Sequence, residues 1–301
     1  MSSIPSTTLS EMGKVHPTSQ AGFGRGKAEF YDFVRPSYPP EALSNIRKLV
    51  AGKNELNVVE IACGSGKFTR SLLTHPEWEQ SIKELKCIEP NEGMRAVFSK
   101  TVDDPRISLS EGTFDTTGVP DHWADLIVTA TAFHWCLNQE AALKEFARIL
   151  KPDGVVCLLW NLEDTKKAPW LKQIYDVCMP YRNNTPASAA EWDRWRQIFE
   201  LAVYKQNFTP AEETTVKFTE DRTLESIIDL FLSWAGVAVL PDQEKKTVKA
   251  KIRDIVRRGD GLVWKDENQG IFETPFVVEP IVIFRKALKE GVLQRLWKHF
   301  N

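Results

Sequence analysis

Val58-Val59-Glu60-Ile61-Ala62-Cys63-Gly64-Ser65-Gly66-Lys67-Phe68-Thr69-Arg70 compresses a buried strand, a glycine turn and a helix start into one stretch. Val58 to Ala62 is a short apolar run holding one acid. Gly64 and Gly66 bracket Ser65, and Phe68, Leu72 and Leu73 then recur at helical spacing. Glycines let a ligand come close to the backbone, and the free N–H groups that open the following helix favour polar or anionic groups there. The stretch therefore predicts a ligand loop at the carboxyl end of a strand.

The acid narrows the ligand. A dinucleotide fingerprint wants a third glycine three residues after Gly66, and Thr69 stands there instead. Glu60, four residues before Gly64, is placed so that its carboxylate could accept from a cationic or N–H-rich ligand near the turn. The pattern hydrophobic-hydrophobic-Glu-x-Ala-x-Gly-Ser-Gly resembles motif I of the class I S-adenosylmethionine (SAM) methyltransferases, with Ala62 where many members carry glycine. The resemblance implies a Rossmann-like α/β fold: a seven-stranded, mostly parallel sheet with an antiparallel last strand and a helical cap. It also implies SAM as cofactor, S-adenosylhomocysteine as product, and cofactor contacts from Glu60, Ala62, Gly64, Ser65 and Gly66.

Further segments extend the likeness. Arg35-Pro36-Ser37-Tyr38-Pro39 resembles an amino-terminal signature of a type 11-like subgroup that includes trans-aconitate methyltransferase-like and fungal small-molecule enzymes. There the segment folds over the cofactor, with an aromatic such as Tyr31 helping to close the site; a packed aromatic hinge is the other reading of Tyr31. Leu85 to Ile88 predicts a second strand ending at Glu89-Pro90-Asn91. Glu89 lies 23 residues beyond Gly66, which suits an acid accepting from two ribose hydroxyls. Asn91 to Ser99 reads as a helix with Met94 and Val97 inward, and Pro90 and Met94 join the cofactor set. After a third strand at Ile107–Ser110, the loop Glu111-Gly112-Thr113-Phe114-Asp115 is where the family clamps adenine, which nominates Gly112, Thr113 and Phe114. Many relatives carry an acid at the position of Thr113.

A fourth apolar strand, Trp123 to Thr129, runs into Ala130-Thr131-Ala132-Phe133-His134-Trp135-Cys136. This resembles the subgroup's turn beside the methionine part of the cofactor and the reacting methyl, so Thr131 and Phe133 are assigned to the cofactor and His134 to catalysis. His134 would act as a general base or donate a hydrogen bond that positions the substrate. Asn138–Leu150 predicts an amphipathic helix, closed by Lys151-Pro152-Asp153-Gly154 before a fifth strand at Val155–Trp160. Trp160-Asn161-Leu162-Glu163-Asp164 also matches the subgroup. Strand and helix alternate to this point, so right-handed crossovers and a parallel sheet follow.

Beyond Thr165 helical stretches dominate, at 166–179, 189–203, 223–235 and 242–258, with Trp170, Trp192, Trp195 and Trp234 among them. They predict a cap over the methyl-donor pocket, and Arg35, Trp135, Trp160 and Trp234 are its candidate substrate contacts, Arg35 as an anchor for a carboxylate. Phe208–Thr219 and Thr274–Lys286 supply the closing strands. The division expected is a disordered tail over 1–20 and one domain over 21–287. Within it lie the SAM-binding core at about 50–165, the cap at 166–270 and the closing strand at 274–287. A helix or tail covers 288–301.

Composition excludes several classes. A chain of 301 residues with 42% hydrophobic and 27% charged residues can bury one large core, and its apolar runs have strand length, too short to cross a bilayer. The five cysteines include no C-x-x-C pair, which gives no disulfide framework and no zinc site, and the reading is of a cytoplasmic protein without metal. A formal net charge of −2 argues against a nucleic-acid partner. The expected function is transfer of a methyl group to an oxygen, nitrogen or sulfur of a small molecule. Alternatives are a catalytically silent SAM-binding regulatory protein and an NAD(P)-dependent oxidoreductase. A nucleic-acid or protein methyltransferase is disfavoured, because Ala130-Thr131-Ala132-Phe133 stands where an Asn-Pro-Pro-Tyr type turn would be. Oligomeric state is unreadable from sequence.

Overall fold

The computed structural model describes residues 13–24, 26–183 and 193–286. The expected C-terminal segment 288–301, most of the expected tail and Trp192 lie outside the described residues. Two short helices, α1 (Pro17–Gly22) and α2 (Lys27–Val34), precede α3 (Pro40–Leu49). The central alternation then runs β1 (Leu56–Ile61), α4 (Lys67–Leu73), α5 (Pro76–Glu79), β2 (Ile82–Ile88), α6 (Glu92–Thr101), β3 (Ile107–Ser110), β4 (Ala124–Ala130), α7 (Gln139–Ile149) and β5 (Leu150–Glu163). The remainder comprises α8 (Pro169–Asn183), a 3₁₀ run (Asp193–Glu200), α9 (Ala202–Asn207), β6 (Glu212–Arg222), α10 (Leu224–Leu232), α11 (Ala235–Ala238), α12 (Asp242–Arg258), β7 (Val263–Asp266) and β8 (Ile271–Arg285).

The sheet order is β3-β2-β1-β4-β5-β8-β6, with β7 paired to β8. β1 to β5 pair in parallel, and β8 runs antiparallel to both β5 and β6. The parallel strands read as apolar runs because both their faces are covered. Alternate residues serve opposite cores: Val58, Leu126, Val128 and Cys157 pack on one face with Leu43, Ile46 and Leu72, while Val59, Ile127, Val156 and Leu158 pack on the other with Leu143, Phe146 and Ile149. A third cluster, built from Trp170, Leu171, Ile174, Ile227, Phe231 and Ile252, belongs to the cap. α12 contributes one stripe to it (Val248, Ile252, Ile255, Val256), and its lysines and arginines face outward as amphipathic spacing requires. Helix starts are held by side chains read from the sequence: Asn91 accepts from the Met94 N–H at 3.1 Å and Asn138 from the Ala141 N–H at 3.0 Å.

Three details differ from expectation. Among the described residues the sheet has eight strands, because β8 is fifteen residues long and its first part reaches beyond β5, where β7 pairs with it. Helix was expected across 189–203; its described part is a 3₁₀ run followed by α9. At the other end the expected tail is partly built: α1 begins at Pro17, four residues before the predicted boundary. It is capped by His16 Nδ1, which accepts from the Thr18 N–H at 3.2 Å. Among the described residues no helix is long and apolar enough to cross a membrane.

Candidate functional site

The chain passes from β1 through β2 and β3 on one side, then returns to place β4 on the other side of β1. That reversal opens a crevice at the carboxyl ends of β1 and β4, where open α/β sheets bind ligands. Each strand is followed directly by a non-glycine residue in the left-handed region, Ala62 at φ 58° and Thr131 at φ 55°. Such a residue costs about 1–2 kcal/mol, so surrounding bonds must hold it. At Thr131 they are explicit: its N–H donates to the Leu159 carbonyl (2.6 Å), and its hydroxyl accepts from the Asn161 N–H (3.1 Å) and bonds the Tyr38 hydroxyl (2.9 Å). Asn161 Nδ2 in turn donates to the Ser37 carbonyl at 3.0 Å. The proline-rich segment is thereby tied across the strand ends.

A first cavity of about 1040 Å³, open at its mouth, lies over β1 and β2. Its wall carries Glu60, Ala62, Gly64, Ser65, Glu89, Pro90, Met94, Thr113, Phe114 and Thr131 of the expected cofactor set. The Glu89 carboxylate is fixed by two backbone donors, the Gly64 N–H at 2.9 Å and the Asn91 N–H at 2.8 Å. Burial raises its pKa to about 7, against the opposing effect of those two bonds. Glu60 is buried more deeply, and its carboxylate accepts from the Thr69 hydroxyl at 2.5 Å. Burial lifts it to about 8. The residue that breaks the dinucleotide pattern is thus the partner of the acid. The Thr113 hydroxyl, expected to face a ligand, donates to Asp115 at 2.5 Å.

Several of the expected contact residues lie off the cavity walls. Gly66 (φ 83°) shapes the turn but lies off the wall, packed against Phe98. Gly112 is enclosed by Ile88 and the Thr116 carbonyl, and Phe133 is fully buried between Phe114 and Phe146. Trp160 is 1% exposed and stacks on Trp195 at 4.5 Å, so it touches neither cavity.

Sequence reasoning missed the amino-terminal wall. Lys14, His16, Ser19 and Phe23 line the first cavity, and His16 and Phe23 both pack on Trp135, with centroids 4.9 and 6.2 Å away. Ser, Thr and Pro hid this segment, since the contacts that fix it on the cavity, to Trp135, are distant in sequence. Asp32 was also missed. It accepts from the Ser65 hydroxyl and from Arg70 Nη2, each at 2.6 Å, and so latches α2 onto the glycine turn. Neither the 33-residue nor the 38-residue separation leaves a local signal.

A second cavity of about 1200 Å³ adjoins the first, over β5 and under the cap. Phe23, Tyr31, Arg35, Thr131, Trp135 and Asn161 line both and form the shared wall. Two buried polar atoms there lack partners, Arg35 Nε and Asn161 Oδ1. Arg35 rests over the Tyr31 ring at 5.1 Å. His134 and Trp234 line the second cavity only. Trp160 Nε1 donates to His134 Nδ1 at 3.1 Å. An indole nitrogen can only donate, so Nδ1 is the acceptor and the neutral ring carries its proton on Nε2. Among the described residues no cluster of histidine, cysteine and acidic side chains could hold a metal ion.

Comparison with known proteins agrees with this geometry. A family model described as a methyltransferase domain matches residues 59–158, from β1 through most of β5. An uncharacterised methyltransferase-like protein of Schizosaccharomyces pombe is 28% identical over 228 residues, covering 75% of this chain and 83% of its own length. A malonyl-[acyl-carrier protein] O-methyltransferase of Porphyromonas gingivalis is 26% identical over 65% of this chain and 68% of its own. Among solved structures, a chain assigned as a type II methyltransferase from Anaeromyxobacter dehalogenans superposes with a TM-score of 0.58 at 15% identity, covering 84% of this chain and 97% of its own, a likeness of fold.

Proposed function

The chain belongs to the class I S-adenosylmethionine-dependent methyltransferases, and we propose that it moves a methyl group onto an oxygen, nitrogen or sulfur of a small molecule held in the second cavity. The carrying observation is the pair of cavities that meet at a wall with unpartnered Arg35 Nε and Asn161 Oδ1. Bound SAM would supply an electrophilic methyl on a positively charged sulfur. Its groups suit the first cavity. The Glu89 oxygens keep lone pairs for ribose hydroxyls, Met94 and Phe114 offer apolar surface to the base, and the Gly64 turn leaves room for close approach.

With the electrophile already activated, the protein's task is alignment and exclusion of water, which supply much of the rate. Arg35 would hold an anionic group at the shared wall. His134 serves as a positioning donor in this reading, because its Nδ1 is committed to Trp160. His134→Ala is then expected to lower kcat/KM about tenfold, the scale of one hydrogen bond to a charged group, mainly through KM and without changing the shape of the pH profile. A kcat loss of about 10²-fold or more at unchanged KM would mark a general base instead.

Calorimetric titration with S-adenosylhomocysteine, and separately with NADH, tests the reading itself. Binding of the first alone is expected. Binding of NADH, or of neither, rejects it. The same titration carries a pH signature. Hydroxyls donating to Glu89 favour its ionised form, and its pKa is raised to about 7, so affinity should rise from pH 6 to pH 8 and binding should release protons to the buffer. The unliganded protein shows the opposite trend. Glu60 and Glu89 both sit above their unfolded value of 4.5. The folded state therefore binds more protons, and this contribution to stability is full below about 4.5 and lost as pH rises through about 7 and 8.

A further inference from the structure

We propose that Glu163 recognises a positively charged nitrogen on the methyl acceptor. The inference rests on reading the second cavity as the acceptor chamber. Glu163 lies on its wall, is 7% exposed, and its carboxylate has no hydrogen bond or ion pair among the described residues. The other acids on that wall, Asp164 and Glu279, have cationic partners. Lys166 Nζ pairs with Glu279 at 3.2 Å on the rim. Asp164 accepts from the Lys166 and Lys167 N–H groups, each at 3.2 Å, and lies 3.2 Å from Lys217 Nζ. Arg35 rests over Tyr31 and pairs with no acid. Glu163 is the acid left over.

A carboxylate that faces a cavity with no donor from the protein offers its lone pairs to a cationic ligand. The surroundings suit a cationic ligand. Tyr175 and Trp234 line the same chamber with ring centroids 5.3 Å apart in an edge arrangement, and aromatic rings attract a nearby cation. Position fixes what the nitrogen does. Asn161 lines both cavities, and Glu163 follows two residues later on the same side of β5, about 6–7 Å along a strand. A nitrogen held protonated by a carboxylate is no nucleophile. It is therefore a handle at the far end of the acceptor, while the atom that receives the methyl lies at the shared wall.

The test uses the full chain saturated with S-adenosylhomocysteine, titrated with 2-phenylethylamine, 2-phenylethanol and phenylacetate. The amine is expected to bind about tenfold or more tightly than either analogue, as a charge-assisted contact provides. Glu163→Gln should abolish that preference while keeping the affinity for S-adenosylhomocysteine, and should not lower the melting temperature, since the carboxylate has no hydrogen bond within the described protein to lose. Glu279→Gln should keep the preference. The proposal is overturned if the amine binds no better than the alcohol or not at all, or if Glu163→Gln leaves the preference intact. It is equally overturned if Glu163→Gln weakens S-adenosylhomocysteine as much as the amine, which would give the carboxylate to the cofactor's own ammonium. Failure of S-adenosylhomocysteine to bind the wild type would instead reject the methyltransferase reading beneath it.

Discussion

Gly66→Val is expected to remove about 2–5 kcal/mol of folding stability, a large part of the 5–15 kcal/mol typical of a domain. Two costs add. At φ 83° a side chain at this position meets the left-handed penalty of about 1–2 kcal/mol. A Cβ there would also come within 2.8 Å of both Phe98 Cδ2 and Val102 Cγ2, and overpacking of this kind costs about 1–3 kcal/mol. Those neighbours belong to the end of α6 and the residue after it, so they cannot yield without moving the helix that carries Asn91 and Met94. Gly64→Ala makes the useful contrast. Its φ is 57°, but nothing lies within 4 Å of where a Cβ would stand, so only the backbone penalty applies while the methyl group occupies space that a ligand must approach. Urea denaturation should show the large loss at Gly66 and a loss of about 1 kcal/mol at Gly64, with S-adenosylhomocysteine affinity reduced in both. Equal stability of Gly66→Val and wild type would mean that the turn is not held as described.

Glu89→Ala is expected to raise the dissociation constant for S-adenosylhomocysteine by about 10- to 100-fold. Loss of a charge-assisted acceptor accounts for about 1.5–3 kcal/mol, and two backbone donors, at Gly64 and Asn91, lose their fixed partner at the same time. Glu89→Gln separates the effects. An amide oxygen can still accept, but the side chain no longer titrates, so the rise in affinity from pH 6 to pH 8 should flatten. Calorimetry on both variants across that range is the check. An Ala variant that binds as tightly as wild type would remove Glu89 from the site, and an unflattened Gln profile would assign the pH dependence to Glu60.

What could be read from sequence follows how far each signal extends along the chain. The run from Val58 to Arg70 carries its own strand, turn and helix start, and its neighbours in space are the next strands in order, so the parallel half of the sheet was legible from alternation alone. The same locality placed Glu89 and Met94 on the wall of the first cavity, since a strand end and an N-cap two residues later fix both. Gly112, Phe133, Gly66 and Trp160 lie off the cavity walls because being next to a site in sequence does not decide which way a residue faces. Trp160 shows it well: it follows the fifth strand's inward alternation, stacks on Trp195, and reaches the second cavity only through its bond to His134. Asp32, Phe23 and Glu163 went unassigned for the opposite reason. Each acquires its meaning from residues far away, the glycine turn for Asp32, Trp135 for Phe23 and the cap helices for Glu163. β7 escaped notice because only the unusual length of β8 calls for it.

The separateness of the cap cluster from those flanking the sheet has a consequence for how such a protein can change. Tyr175 and Trp234, which line the second cavity, pack within the cap cluster, while the strands and turn that shape the first cavity rest mainly on the two clusters flanking the sheet. Substitutions at sites that share no neighbours combine nearly additively. Replacements at Tyr175 and Trp234 are therefore expected to change the stability of the first cavity's walls little, so selection, natural or directed, can reshape the second cavity one residue at a time while the first stays as it was.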